Sequence, residues 1–237
     1  MLLGLRAVGS ALAQVLTHVT ASLLGNLLAI LLSIPLLLLV GILAFSTRSF
    51  SLIPLGVAFL VGVLPNPCTA GVQLVARKLA TADYVSAGDQ WAGLRSYARP
   101  AAGCWLLSLA VSVLMLVNIA FYARSMGTAS SIPHVVVLPL LLLWVLLFAF
   151  WISIQLYIFP LLIAQEVKSM RLIYRNATLM VIARPSVSAV VIPVWLAVLL
   201  FSSATGLATF IGLALGAAIQ HNAAAKLLPT FRMGPAG

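Results

Sequence analysis

The run VVVLPLLLLWVLLFAFWISIQLYIFPLLI, residues 135–163, decides the fold. It carries no charge, and it sits within 41 charge-free residues between Arg124 and Glu166. A helix rises about 1.5 Å per residue, so about 20 apolar residues cross the roughly 30 Å hydrocarbon core of a bilayer. In lipid the backbone must satisfy its own hydrogen bonds, which makes such a run a helix. Strands of a barrel would alternate polar and apolar residues. Neither Val135–Leu147 nor Leu36–Val40 does so.

The same pattern recurs outward from this run. Charge-free intervals of 41, 28, 24 and 41 residues lie between Arg6 and Arg48, Arg48 and Arg77, Arg99 and Arg124, and Arg184 and Lys226. Over the whole 237 residues, 63% are hydrophobic and 7% charged, with a mean hydropathy of +1.20. An average soluble domain carries about 25% charged residues. This composition excludes a soluble globular enzyme, a disordered chain and a disulfide scaffold. It predicts an all-α polytopic bundle of six spans near Leu23–Phe45, Leu52–Ala76, Ala101–Tyr122, Val135–Ile163, Ser186–Phe201 and Thr205–Asn222. The last pair has an alternative reading as one long span.

Charge orients the bundle. Six spans put Arg6, Arg77, Lys78, Arg95, Arg99, Lys168, Arg171, Arg175, Arg184, Lys226 and Arg232 on one side, and Arg48 and Arg124 on the other. The positive-inside rule places the larger set in the cytoplasm, with both termini and the segments 77–100 and 164–185. The expected location is the inner, cytoplasmic membrane. Residues 1–22 read as an interfacial helix with Gln14, Thr17 and His18 on its wetter face, and 223–237 as a cytoplasmic tail. Ala11-Leu12-Ala13 resembles a signal-peptide cleavage site, but no 7–15-residue apolar run lies between Arg6 and it.

The two basic segments share a plan. Ser86 and Asp89 have capping-box spacing, which predicts a short helix from there to Arg99. Trp91, Arg95 and Arg99 recur at i, i+4, i+8 on one face. Lys168, Arg171 and Arg175 recur at i, i+3, i+7. Each segment ends in Ala-Arg-Pro, with Pro100 and Pro185 placed to open the next helix. The arrangement is compatible with an internal duplication. These six side chains are the expected contacts for a partner or for lipid headgroups. Nucleic acid is not an expected partner, because topology accounts for the charge.

Chemistry-bearing motifs are absent: the sequence has no phosphate-binding Gly-Lys loop, no His-Glu-x-x-His and no Cys-x-x-Cys. No catalytic residue, metal or cofactor is expected, and the chain reads as a non-enzyme. Cys68 and Cys104 read as small buried residues in a reducing compartment. No charge falls inside an expected span, which disfavours an ion-coupled carrier acting alone. The neutral polar residues there, Asn26, Ser33, Gln73, Ser108, Ser112, Asn118, Ser153 and Gln155, fit interhelical hydrogen bonding. Gln155, Tyr157 and Asn26 form the candidate intramembrane polar site. Pro65-Asn66-Pro67 predicts a helix break, since the second ring pushes Asn66 out of the α region. His18, His134 and His221 read as ordinary interfacial polar residues.

Gln155-Leu156-Tyr157-Ile158-Phe159-Pro160-Leu161-Leu162, with Lys168-Ser169-Met170-Arg171-Leu172 and Arg175-Asn176-Ala177, resembles the C-terminal half of the YesL-like family of bacterial multi-pass membrane proteins. Pro67-Cys68-Thr69-Ala70-Gly71, followed by Trp91 and Tyr97, strengthens the likeness. It covers roughly residues 23–222, although here an extra apolar stretch separates Asn26-Leu27-Leu28 from Pro67. The family has no established biochemical activity, and its members look like companions of carbohydrate import systems. The resemblance therefore implies an accessory protein of a carbohydrate ABC transport system and transfers no catalytic residue. Two other expectations stand beside it: an accessory subunit of a larger respiratory or photosynthetic complex, and a small-solute permease.

Overall fold

A computed structural model describes residues 2–46, 63–81, 83–86, 88–127, 133–166, 169–205 and 212–232. Among them the regular elements are all helical. They are α1 (Leu2–Thr17), α2 (Val19–Ser46), a 3-10 turn (Pro67–Thr69), α3 (Ala70–Ala80), α4 (Gly88–Gly127), α5 (His134–Ala164), α6 (Met170–Ala183), α7 (Pro185–Thr205) and α8 (Gly212–Arg232).

Among the described residues, three helical stretches are long and apolar enough to cross a membrane: Gly88–Met126, Val135–Ala164 and Pro185–Ser202. A fourth crossing exists if Leu2–Thr17 and Ser22–Ile34, bent by 94°, count as one broken span. The expected span Leu52–Ala76 falls largely outside the described residues. Its described end is not continuous helix. Asn66 has φ −65° and ψ 127°, the extended geometry that a following proline imposes. Its Oδ1 accepts the Cys68 N–H at 2.9 Å, and Thr69 Oγ1 donates to its carbonyl at 2.8 Å. α3 starts only after this turn.

α8 lies at the centre, packed by α1, α2, α3, α5 and α7. Its sequence explains this position. Ala214, Ala217, Ala218, Ala223 and Ala224 are buried, and Gly216 lies against Leu199 and Trp195. Small residues let helix backbones approach closely, the main source of helix association in lipid. α1 answers with its own small stripe, Gly4, Ala7, Ala11 and Val15, buried against α7 and α8. Its opposite side exposes Leu2, Leu5, Leu12 and Leu16. The exposed apolar surface continues along α4 from Leu106 and along α5 up to Phe150, where large apolar side chains stand exposed.

One expected helix end is corrected, and two expected segment bounds fall within helices. The short helix ending at Arg99 does not stop there: α4 runs unbroken through Pro100 for 40 residues. Proline removes the N–H that would pair with the Ser96 carbonyl, and Ser96 is exposed, so water can take that carbonyl. The boundary at residue 22 falls inside α2, and that at 222 falls inside α8, which continues to Arg232 with Ala223, Ala224 and Leu227 buried. Pro185 does open α7, as its position in Ala183-Arg184-Pro185 predicts. The two Ala-Arg-Pro motifs therefore do different things, one inside a helix and one at a helix start.

Two glycines test the packing in opposite directions. A Cβ on Gly71 would collide with the Gln90 carbonyl, whereas a Cβ on Gly9 meets nothing within 4 Å. Gly71→Ala is expected to cost about 1–3 kcal/mol by overpacking. Gly9→Ala is expected to gain about 0.5–1 kcal/mol in a helix interior. Thermal unfolding of both variants in one detergent, followed by circular dichroism, checks the opposite signs.

Candidate functional site

The basic side chains lie where their spacing puts them. Trp91, Arg95 and Arg99 are all exposed along the first turns of α4, and Arg171 and Arg175 are exposed on α6. Lys168 lies outside the described residues. Trp91 is 61% exposed, and Tyr84, in the loop before α4, is 85% exposed. A bare tryptophan beside arginines has the composition of a protein interface. The sequence reading passed over Tyr84, since nothing in its spacing marks it.

The structure brings the two basic helices together. Met170 Sδ lies 3.2 Å from the position a Cβ on Gly103 would take, which puts the start of α6 one helical turn beyond Arg99. Tyr174 then anchors α6 in the α4–α5 seam. Its ring stacks on Trp151 at 5.7 Å between centroids and 4° between planes. Its hydroxyl lies 2.7 Å from Ser108 Oγ and 2.9 Å from the Cys104 carbonyl. Ser108 also donates to Gln155 Oε1 at 2.8 Å. With the Ser108 proton on Gln155, the single Tyr174 proton is shared between Ser108 and Cys104.

The start of α4 is fixed by charge. Asp89 accepts the Ser86 N–H at 2.7 Å, one half of the expected capping box, and pairs with Lys78 at 2.7 Å. This is the one ion pair shown among the described residues. Asp89 lies near the start of α4, twelve residues before the expected span that begins at Ala101. Burial works against its ionisation, but the Lys78 and Ser86 bonds outweigh it and hold the carboxyl below its ordinary value. Arg77 serves the neighbouring helix end: Nη1 donates to the Ile163 carbonyl at 2.9 Å, meeting one of the unpaired carbonyls at the end of α5.

The candidate intramembrane residues do not form one cluster. Gln155 faces Ser108 on α4, while the Tyr157 hydroxyl lies 3.0 Å from Ser188 Oγ on α7. Asn26 is buried on α2. Four of the expected neutral polar residues bond between helices: Ser108 with Gln155, Ser112 with Trp151 and Gln73 with Gln220. Ser33, Asn118 and Ser153 instead donate back to carbonyls of their own helices. Gln14, expected on a wet face, accepts from Asn222 Nδ2 at 2.7 Å and ties α1 to α8. His221, expected at an interface, is buried; His18 is exposed.

Gln73 Nε2 donates to Gln220 Oε1 at 2.7 Å, while Gln73 Oε1 has no partner among the described residues. A cavity of about 10 Å³ adjoins this pair, bounded by Thr69, Phe159 and Trp195; that is room for about one water molecule. No group of three or more His, Cys, Asp or Glu side chains converges among the described residues. Cys68 and Cys104 are free thiols, and Cys104 is fully buried.

The chain matches no family model, no curated protein and no solved structure. The resemblance to YesL-like proteins gains no support from these comparisons.

A lowered carboxylate pKa contributes stability that is full above the unfolded value and lost as pH falls through the folded one. Amide protection over residues 88–91, taken against the intrinsic exchange rate at each pH, is therefore expected to fall as pH drops below the ordinary aspartate value of 3.8. Asp89→Asn should show the loosened start of α4 already at neutral pH and lose the acid response. Exchange mass spectrometry in detergent checks both.

Proposed function

We propose that this protein is a non-enzymatic accessory component of the cytoplasmic membrane, spanning it six times with both termini inside. It docks a cytoplasmic or membrane protein subunit through the face formed by Trp91, Arg95 and Arg99. The observation that carries this reading is the exposure of Trp91 beside two arginines that have no acidic partner on their face. Burying a tryptophan against a partner is worth more than any single rim charge, and arginine beside it supplies orientation.

Two features favour the even span count. The charge asymmetry is greatest with six spans. α8 falls short of a crossing by apolarity, yet five helices pack it, so its Gln220, His221 and Asn222 are buried in protein. Polar residues are tolerated at membrane depth when they face protein. Assistance to a carbohydrate ABC transport system is the form of the proposal that the YesL-like resemblance adds.

Purification in mild detergent followed by mass spectrometry tests the reading. A subunit copurifying in near-equal amount is expected, and it should be lost from the Trp91→Ala/Arg95→Ala/Arg99→Ala variant. Emergence of the chain alone, or full retention by the variant, would overturn it.

A further inference from the structure

A second basic face leads to a different ligand. On α6 the exposed residues Arg171, Arg175, Leu179 and Ile182 follow one another along a single face, at i, i+4, i+8 and i+11. The first two are cationic and the last two apolar. Neither arginine has an ion-pair partner among the described residues, where the one pair is Lys78 with Asp89.

Beside the apolar half of this stripe lies a cavity of about 360 Å³, within the size range of small-ligand sites. Leu161 and Ala164 of α5, Leu179 and Met180 of α6 and Leu228 of α8 line it, with the amide residues Gln165 and Asn176. Five of these seven are apolar, so most of the cavity wall suits a hydrocarbon chain. Leu179 both lines the cavity and sits one turn after Arg175 on the same face. Side chains four apart on a helix are neighbours and lean toward its N-terminus. Arg175 therefore borders the cavity on the side where the stripe turns basic, with Arg171 one turn beyond.

We propose that this cavity holds one acyl chain of an anionic membrane phospholipid, whose headgroup lies against Arg175 and Arg171. Charge decides the occupant. A zwitterionic lipid would fill the cavity equally well, but its own ammonium group would compete with the two arginines for its phosphate. An acidic protein segment would answer the cations but not the hydrocarbon-lined space behind them. The lipid would hold α6 against α5 and α8, beneath the α4 face that receives the partner. This inference rests on the reading of the chain as an integral membrane protein with this side facing the cytoplasm.

The test uses the full-length protein in detergent micelles containing equal amounts of phosphatidylglycerol and phosphatidylcholine with identical acyl chains. Native mass spectrometry reads the lipid retained. One bound phosphatidylglycerol is expected, favoured over phosphatidylcholine by about tenfold, the scale expected for cations close to an anionic headgroup. Ala164→Phe fills the cavity without changing charge and should remove the bound lipid. Leu179→Glu, at an exposed position that folding tolerates, should do the same by repulsion. Arg171→Gln/Arg175→Gln should abolish the headgroup preference, while Arg124→Gln, a charge loss on the opposite side, should not. Equal retention of the two lipids, or unchanged retention in both Ala164→Phe and Leu179→Glu, would overturn the assignment. Those outcomes leave copurification of a protein partner untouched, so the two proposals fail separately.

Discussion

Everything in this bundle depends on how closely helices can approach α8. In lipid no hydrophobic force drives one apolar helix against another, so association rests on van der Waals contact and on interhelical hydrogen bonds. α8 meets that constraint with alanine and glycine on its surface. Five helices close on it, and α1 does so with a small-residue stripe of its own. Bulky residues face outward instead, on α1, α2, α4 and α5, where lipid can take them. Large apolar side chains also fill the centre, among them Tyr157, Leu162, Trp195 and Ile219, as they do in a water-soluble domain.

Close approach brings polar groups within reach of one another, and the bonds they form set the register. Gln73 with Gln220 fixes α3 on α8, Gln14 with Asn222 fixes α1 on α8, and Ser108 with Gln155 fixes α4 on α5. Each averages only about 0.6 kcal/mol in measured membrane proteins. Their value lies in direction, because a slip along either helix would leave both partners buried and unpaired. Tyr174 extends the same logic to α6, whose buried Ile173, Ala177, Met180 and Val181 supply the packing while Tyr174 supplies the directional bonds. Charge is thus kept to the outer turns and neutral hydrogen bonding to the interior.

Much of this was legible in the sequence, and the remainder failed for identifiable reasons. Charge-free runs marked α4, α5 and α7 because a bilayer excludes charge over a fixed thickness. Pro65-Asn66-Pro67 marked the turn before α3 because the effect of proline on its predecessor is local. Pro100 misled, since whether a proline opens a helix or sits inside one depends on whether the carbonyl it strands can reach water. The pairing of Gln73 with Gln220 was not legible, because 147 residues separate the two and nothing in spacing links them. Gln14 looked wet for the same reason: its partner Asn222 is 208 residues away. The exposure of Trp91, Arg95 and Arg99 followed from helical periodicity, whereas the approach of α6 to α4 at Gly103 needed the tertiary structure. The cavity beside Leu179 lies between three helices and has no signature in any one of them.

The proposed docking and lipid sites both require one placement: the faces of α4 and α6 that carry the arginines must lie together on the cytoplasmic side of a multi-pass bundle. Single-cysteine variants at positions 95, 175 and 124, labelled with a membrane-impermeant maleimide in intact and then permeabilised cells, test it directly. Positions 95 and 175 should label only after permeabilisation, and position 124 should label in intact cells. Labelling of 95 or 175 from outside would contradict the orientation, and labelling of the two from opposite sides would contradict the bundle itself.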